Sequence, residues 1–220
     1  MTRAAALLVV VAAAAGTARA DLRDTQGGAV LRYEAGDVHA LDDHSEPRDL
    51  ALAGAHLDGV LLFGRHVGYH AQLDLAAGTT LGRAGFAYDV SLLPVGVALR
   101  FGDTQLVGVA GGVGAMGAVG SIDDAATFPI EAFADLALGA HLRVMARARA
   151  TYLAGATVRE DHQPELDAQL AVRLGHRYRE WGFPSGNGYF VGGEYRELAG
   201  ERFAGVIFGY AIDLATAPQR

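Results

Sequence analysis

LRVMARARATYL, residues 142–153, sets arginines at positions 143, 147 and 149 among aliphatic residues. On an α-helix, Arg143 and Arg147 stand one turn apart, while Arg149 and the alternate alanines scatter around the axis. On a β-strand, Leu142, Val144, Ala146, Ala148, Ala150 and Tyr152 make one face and Arg143, Met145, Arg147, Arg149 and Thr151 the other. Met145 is the single exception to the strand pattern, so the stretch reads as the wall of a sheet with one apolar and one charged face.

The preceding residues share the period. Phe128, Ile130, Ala132, Ala134, Leu136 and Leu138 alternate with Glu131, Phe133, Asp135 and Ala137, and Gly139-Ala140-His141 is a turn. Folding the two segments together through that turn pairs Leu138 with Leu142. Glu131 then faces Arg149, and Asp135 lies diagonal to both Arg143 and Arg147. Glu131, Asp135, Arg143, Arg147 and Arg149 thus form one charge network. On a soluble sheet such pairs are solvated and contribute roughly 0–1 kcal/mol. In a barrel with lipid outside they point inward, because an arginine turned to lipid at the bilayer midplane costs about 2–4 kcal/mol.

Alternation runs through most of the remaining chain. Tyr69, Ala71, Leu73 and Leu75 alternate with His70, Gln72 and Asp74, and Phe86, Tyr88, Val90 and Leu92 with Ala87, Asp89 and Ser91. At Pro94 the phase changes, and Val95, Val97, Leu99 and Phe101 become the apolar row. Proline cannot donate to a ladder, so this is either a tight hairpin or a bulge in one long strand. With segments at 52–62, 104–116, 167–178, 188–197 and 203–214, the count is ten strands, or eight if Pro94 and one other short connection are continuous. The strands are about nine to twelve residues long, which suits the tilted span of a bilayer, whereas soluble strands average about five or six. With ten strands and a periplasmic N-terminus, the long acidic connections 117–127 and 154–166 lie outside and the short turns at 102–103 and 139–141 lie on the periplasmic side. The connection 179–187 is long for a periplasmic turn.

Residues 1–20 read as a secretory signal peptide: Arg3, an apolar run over 4–15, Gly16, and an Ala18-Arg19-Ala20 cleavage site. The run is shorter than the roughly 20 residues of a spanning helix. Residues 21–50 are polar and aperiodic and are expected to be an N-terminal extension with at most a short strand over 30–33. The barrel is expected over 51–214 and a polar tail over 215–220. The 220 residues carry a net charge of -7, and removing Arg3 and Arg19 with the signal takes it to -9, which argues against nucleic acid. No cysteine is present, which excludes a disulfide-stapled scaffold and a lipoprotein anchor. The 30 glycines are scattered and point to turns and close strand contacts.

These features resemble the small outer-membrane β-barrels of Gram-negative bacteria: a signal peptide, no cysteine, long dyad-repeat strands and a charged inner face over 51–214. Such barrels end in a strand with a GxxFxY-like pattern that the assembly machinery reads, and Gly205, Phe208 and Tyr210 have that form. The resemblance implies an all-β, antiparallel, up-and-down transmembrane barrel of 8 to 10 strands in the bacterial outer membrane, with outer-membrane lipid and the barrel assembly machinery as partners. Aromatics near strand ends (Phe101, Phe128, Tyr152, Tyr178, Tyr189, Phe203) look like interfacial girdles.

Catalytic signatures are missing. The serines stand in no GxSxG context, His44-Ser45 falls in the polar extension, and no enzyme is expected. His66 and His70 are four apart but on an alternating segment, so no metal is expected there. The acidic pairs Asp42-Asp43, Asp123-Asp124 and Glu160-Asp161 lack calcium-loop spacing, and no cofactor is expected. The leading expectation is a structural, adhesive or narrow-pore barrel with a charged lumen. The alternative is a secreted soluble β-barrel binding an apolar ligand, lipocalin-like, with the aliphatic rows turned inward.

Overall fold

The computed structural model describes residues 21–37, 48–63, 66–81, 85–102, 105–118, 122–139, 141–155, 163–175, 188–198 and 201–213. The signal peptide expected at 1–20, the tail at 215–220, Tyr178, His44-Ser45, Asp42-Asp43 and Glu160-Asp161 lie outside the described residues. The described residues form ten strands: β1 (Asp21–Asp37), β2 (Arg48–Phe63), β3 (Val67–Leu81), β4 (Gly85–Phe101), β5 (Gln105–Ala118), β6 (Ile122–Ala137), β7 (Leu142–Ala154), β8 (Glu165–Gly175), β9 (Gly188–Leu198) and β10 (Glu201–Asp213). Each pairs antiparallel with its neighbours in sequence, and β1 pairs with β10, so the sheet closes into an up-and-down barrel. Closure gives every strand two partners and leaves no open edge.

The expected extension over 21–50 is corrected here. Residues 21–37 are a full barrel strand, and β2 begins at Arg48. Alternation in this segment is interrupted by Gly27-Gly28, and it is the two-sided backbone pairing, Val30 with Gly54 and Gly209, that makes it a strand. Pro94, for its part, marks a bulge within β4 rather than a hairpin. The β4–β5 register slips between Leu92 and Val95, and the β3–β4 register between His70 and Gln72. The count of ten is therefore reached by a different partition, with β1 added and the two halves of β4 joined. Because β1 precedes them, β2 and β3 run opposite to the expected direction, while β5 to β10 keep theirs. β1 to β7 and β10, at thirteen to seventeen residues, exceed the expected nine to twelve because the ladder continues past the apolar stretches into polar ends, while β8 and β9, at eleven, fall within it.

The side chains divide cleanly by parity. On β6, Phe128 and Ile130 point outward, while Thr127, Glu131 and Phe133 are buried inside. On β8 and β9, Leu166, Leu170, Val172, Tyr189 and Val191 face out, and Arg173, Glu194 and Arg196 face in. Apolar side chains also pack inside, near both rims. Leu52, Ala76, Ala87, Met116, Ala125 and Phe203 form a cluster near the rim opposite the termini. Near the terminal rim, Val60, Leu62, Ala98, Leu106 and Phe133 form a second cluster, and Ala171, Phe190, Ile207 and Ala211 a third. Phe203, expected in an outer girdle, is thus an interior residue, 2% exposed.

Candidate functional site

The interior ion pairs begin at the β6–β7 hairpin. Gly139, with φ of 86°, takes a conformation that a side chain disfavours, and Leu138 N donates to Leu142 O at 2.8 Å. That turn sets the register read from the sequence: Glu131 stands opposite Arg149, and Asp135, opposite Met145, is diagonal to Arg143 and Arg147. Met145, the exception in the charged row, packs against the third apolar cluster.

Two of the three arginines engage the expected carboxylates. Arg143 Nε donates to Asp135 Oδ1 at 2.7 Å, and its NH2 closes on the other carboxylate oxygen. Arg149 holds Glu131 with Nε at 2.8 Å and NH2 at 2.6 Å, and the same NH2 crosses the lumen to Asp74 Oδ2 on β3 at 2.5 Å. Its NH1 reaches Ser91 Oγ on β4 at 3.4 Å.

Arg147 departs from the expectation. It stands beside Phe133 in the ladder and reaches away from Asp135 to the β2 wall, where its NH2 lies 2.7 Å from His56 Nε2. Its carboxylate neighbours are Asp58 and Glu131, each at 3.7 Å, and Asp74 at 4.0 Å. The physical reason is reach. Arginine's long stem carries the guanidinium across a bore this narrow, where the far wall offers His56 Nδ1 already set against Asp74 Oδ1.

A second knot sits on β8 and β9. Arg196 contacts Asp89 at 3.2 Å, Asp167 at 3.4 Å and Glu194 at 3.2 Å, and Gln169 donates to Glu194 at 2.6 Å. Together with Arg149, Thr127 and Thr151, the same strands line a small recess with room for about one water molecule. Sequence reading had the inward rows of Asp74, Asp89 and Ser91 in hand as polar positions, but nothing local tied them to arginines on distant strands. His56, Asp58 and the Arg196 knot carried no signal beyond parity.

His70 is fully buried, its ring tilted against Phe133 with centroids 4.3 Å apart and its Nε2 3.4 Å from Asp58 Oδ2. His66 contacts the Arg100 carbonyl at 3.2 Å. Sequence neighbours at spacing four therefore serve different places. Among the described residues, no three His, Asp or Glu side chains converge as a metal site.

In the expected assembly segment, Gly205, Phe208 and Tyr210 stand on β10 opposite Glu34, Leu31 and Ala29 of β1. Phe208 and Tyr210 meet Tyr189 of β9, with ring centroids 6.1 Å and 4.8 Å away. Of the expected girdle aromatics, Phe101, Phe128, Tyr152 and Tyr189 are outward and exposed.

Chemically, the buried charges described here are desolvated side chains set against partners of opposite sign. Glu131 and Arg143 are 2% and 0% exposed, and ions so removed from water require partners of opposite sign with good geometry. The described residues form a closed ten-stranded antiparallel barrel with ion pairs between apolar clusters inside and an aliphatic outer face. No protein-family model matches the chain, and no curated protein does. Among solved structures it is similar to the crystal structure of the β domain of the Bordetella autotransporter BrkA, with 12% identity over 86% of this chain and 99% of that one, at a TM-score of 0.42.

Proposed function

We propose that this chain is a bacterial outer-membrane β-barrel, delivered by its cleaved signal peptide, that acts as a structural barrel with a lumen closed by its own ion pairs. The inversion of polarity carries the reading. Ile130 and Leu170, 58% and 59% exposed, stand on the same walls as Glu131 and Arg173, 2% and 1% exposed. Soluble monomers rarely expose contiguous apolar patches beyond a few hundred Å², and here the outward row is aliphatic on strand after strand. A lipocalin-like protein needs the reverse arrangement, with its aliphatic rows around the ligand.

The height of the apolar belt supports the same reading. Tyr88 and Phe101 bracket the aliphatic part of the outward row of β4, which Phe86 extends by one more aromatic. At about 3.3 Å per residue and a tilt of about 40°, they stand roughly 30 Å apart along the axis, the thickness of a bilayer's hydrocarbon. Aromatic pairs near the rims, Phe86 with Tyr88 and Tyr189 with Tyr210, suit the lipid–water boundary. With side chains filling a bore of this size, a closed interior is favoured over free diffusion. Gly205, Phe208 and Tyr210 are the residues we assign to recognition by the barrel assembly machinery.

The test is heat-modifiable gel mobility of the membrane-extracted protein, with a spin label at Ala148. The expected result is a folded form that migrates apart from the boiled form and a label that reports lipid. A single band and a label in water or packed protein core overturn the proposal.

A further inference from the structure

Resting on the membrane-barrel reading, we propose that His56 makes the lumen's closure proton-sensitive: its protonation releases Arg147 from the β2 wall and opens the interior to small ions. His56 Nδ1 lies against Asp74 Oδ1, and a carboxylate only accepts, so Nδ1 carries the hydrogen. Arg147 NH2 lies 2.7 Å from Nε2, and a guanidinium only donates, so Nε2 is the acceptor. Arg147 NH1 also stands 3.4 Å from Nδ1, farther than the Asp74 oxygen, and the shorter contact at each nitrogen describes a neutral imidazole. Asp58 Oδ2 stands 3.7 Å from that same Nε2.

A proton on Nε2 sets two cationic donors face to face and at the same time gives the ring a use for Asp58. The imidazolium turns to Asp58, two residues along its own strand. Arg147 turns to Glu131, 3.7 Å away on the neighbouring β6. One crossing between opposite walls becomes two contacts within single walls.

The charges around His56 favour this exchange. Facing it are Asp58 on β2, Asp74 and His70 on β3, Glu131 on β6, and Arg147 and Arg149 on β7. The β1 backbone register sets Gly28 beside His56 and Gln26 beside Asp58, neither of them charged. With both histidines neutral, three carboxylates meet two guanidiniums, and one proton on His56 restores balance. Histidine takes that proton in the range of about pH 5 to 8.

The crossing matters because apolar packing near the terminal rim is divided between walls. One cluster belongs to β2, β4, β5 and β6, and the other to β8, β9 and β10 with Met145. Between them the walls are joined by Arg147 with His56 and, at longer range, Asp58 and Asp74, by Arg149 with Asp74 and Ser91, and by Arg196 with Asp89.

The experiment uses the full chain folded into planar phosphatidylcholine–phosphatidylglycerol bilayers in potassium chloride, with current recorded per inserted barrel from about pH 8 to about pH 5. The expected result is a severalfold rise on the acid side that His56→Gln and His56→Asn both flatten and His70→Gln retains. Asp58→Asn, which removes the imidazolium's partner, moves the rise to lower pH. Nitrogen NMR of the wild type in micelles shows the Nδ1–H tautomer above the transition. A pH-independent current from heat-modifiable barrels overturns the switch, as does a pH response that survives both His56 variants or vanishes with His70→Gln. Protein that neither inserts nor shows heat-modifiable mobility overturns the membrane reading instead.

Discussion

Ile130 and Glu131 are consecutive residues of β6, and they live under opposite rules. Ile130 faces outward among Ala132, Phe128 and Ala150 and needs only an apolar medium. Glu131 faces the lumen, 2% exposed, and is held by two bonds from Arg149. The outer face is specified by composition and tolerates exchange among apolar residues. The inner face is specified by partnership, so each charge there is only as stable as the residue it meets.

Breaking that partnership has the largest expected effect. Arg149→Met leaves Glu131 and Asp74 buried without their principal cation, which destabilises the barrel by about 3–5 kcal/mol. Urea unfolding of the barrel folded in lipid vesicles, followed by circular dichroism, measures it. A loss below 1 kcal/mol would show that the lumen is wet enough to solvate the carboxylates.

Violating the outer rule comes next. Ile130→Arg is expected to cost about 2–4 kcal/mol in the same vesicles, and Ile130→Leu almost nothing. Equal tolerance of arginine and leucine there would place the outer face in water and remove the contrast. A smaller effect tests how the inner face is fitted rather than charged. A Cβ on Gly108 would stand 2.4 Å from the Phe133 ring, so Gly108→Ala is expected to cost about 1–3 kcal/mol. Calorimetry should show Phe133→Leu recovering part of that loss. The smallest effect belongs to a pair that obeys neither rule. Arg202, 70% exposed and 3.7 Å from Glu197, should change stability by under about 1 kcal/mol on conversion to alanine.

Legibility in the sequence follows the distance between partners. The β6–β7 hairpin needed a turn and a period of two, both local, and its register carried Glu131 to Arg149 and Asp135 to Arg143 directly. Arg147 could not be read the same way, because its neighbour His56 lies 91 residues away on the opposite wall. The bulge at Pro94 left two readings open, since a phase change is the same in sequence whether the chain turns or slips. β1 was legible only as a short strand over 30–33, a fraction of its span over Asp21–Asp37. Its alternation holds only briefly after Gly27-Gly28, and what makes it a strand is a ladder on each side, supplied by residues far along the chain. Parity named the inward rows, but only the closed barrel says which rows meet.

The seam between β1 and β10 sets the kinetics of the whole barrel. Gln26 pairs with Asp213 across 187 intervening steps of chain, whereas the other joints link strands consecutive in sequence. Hairpins close small loops and form early, but closing so long a loop carries the largest entropy cost of any joint and is repaid only when the remaining strands already stand in order. Closure is therefore the late, slow event of folding, and the seam is the joint whose opening returns the most chain freedom. A crosslink across it would slow unfolding more than one placed in any hairpin.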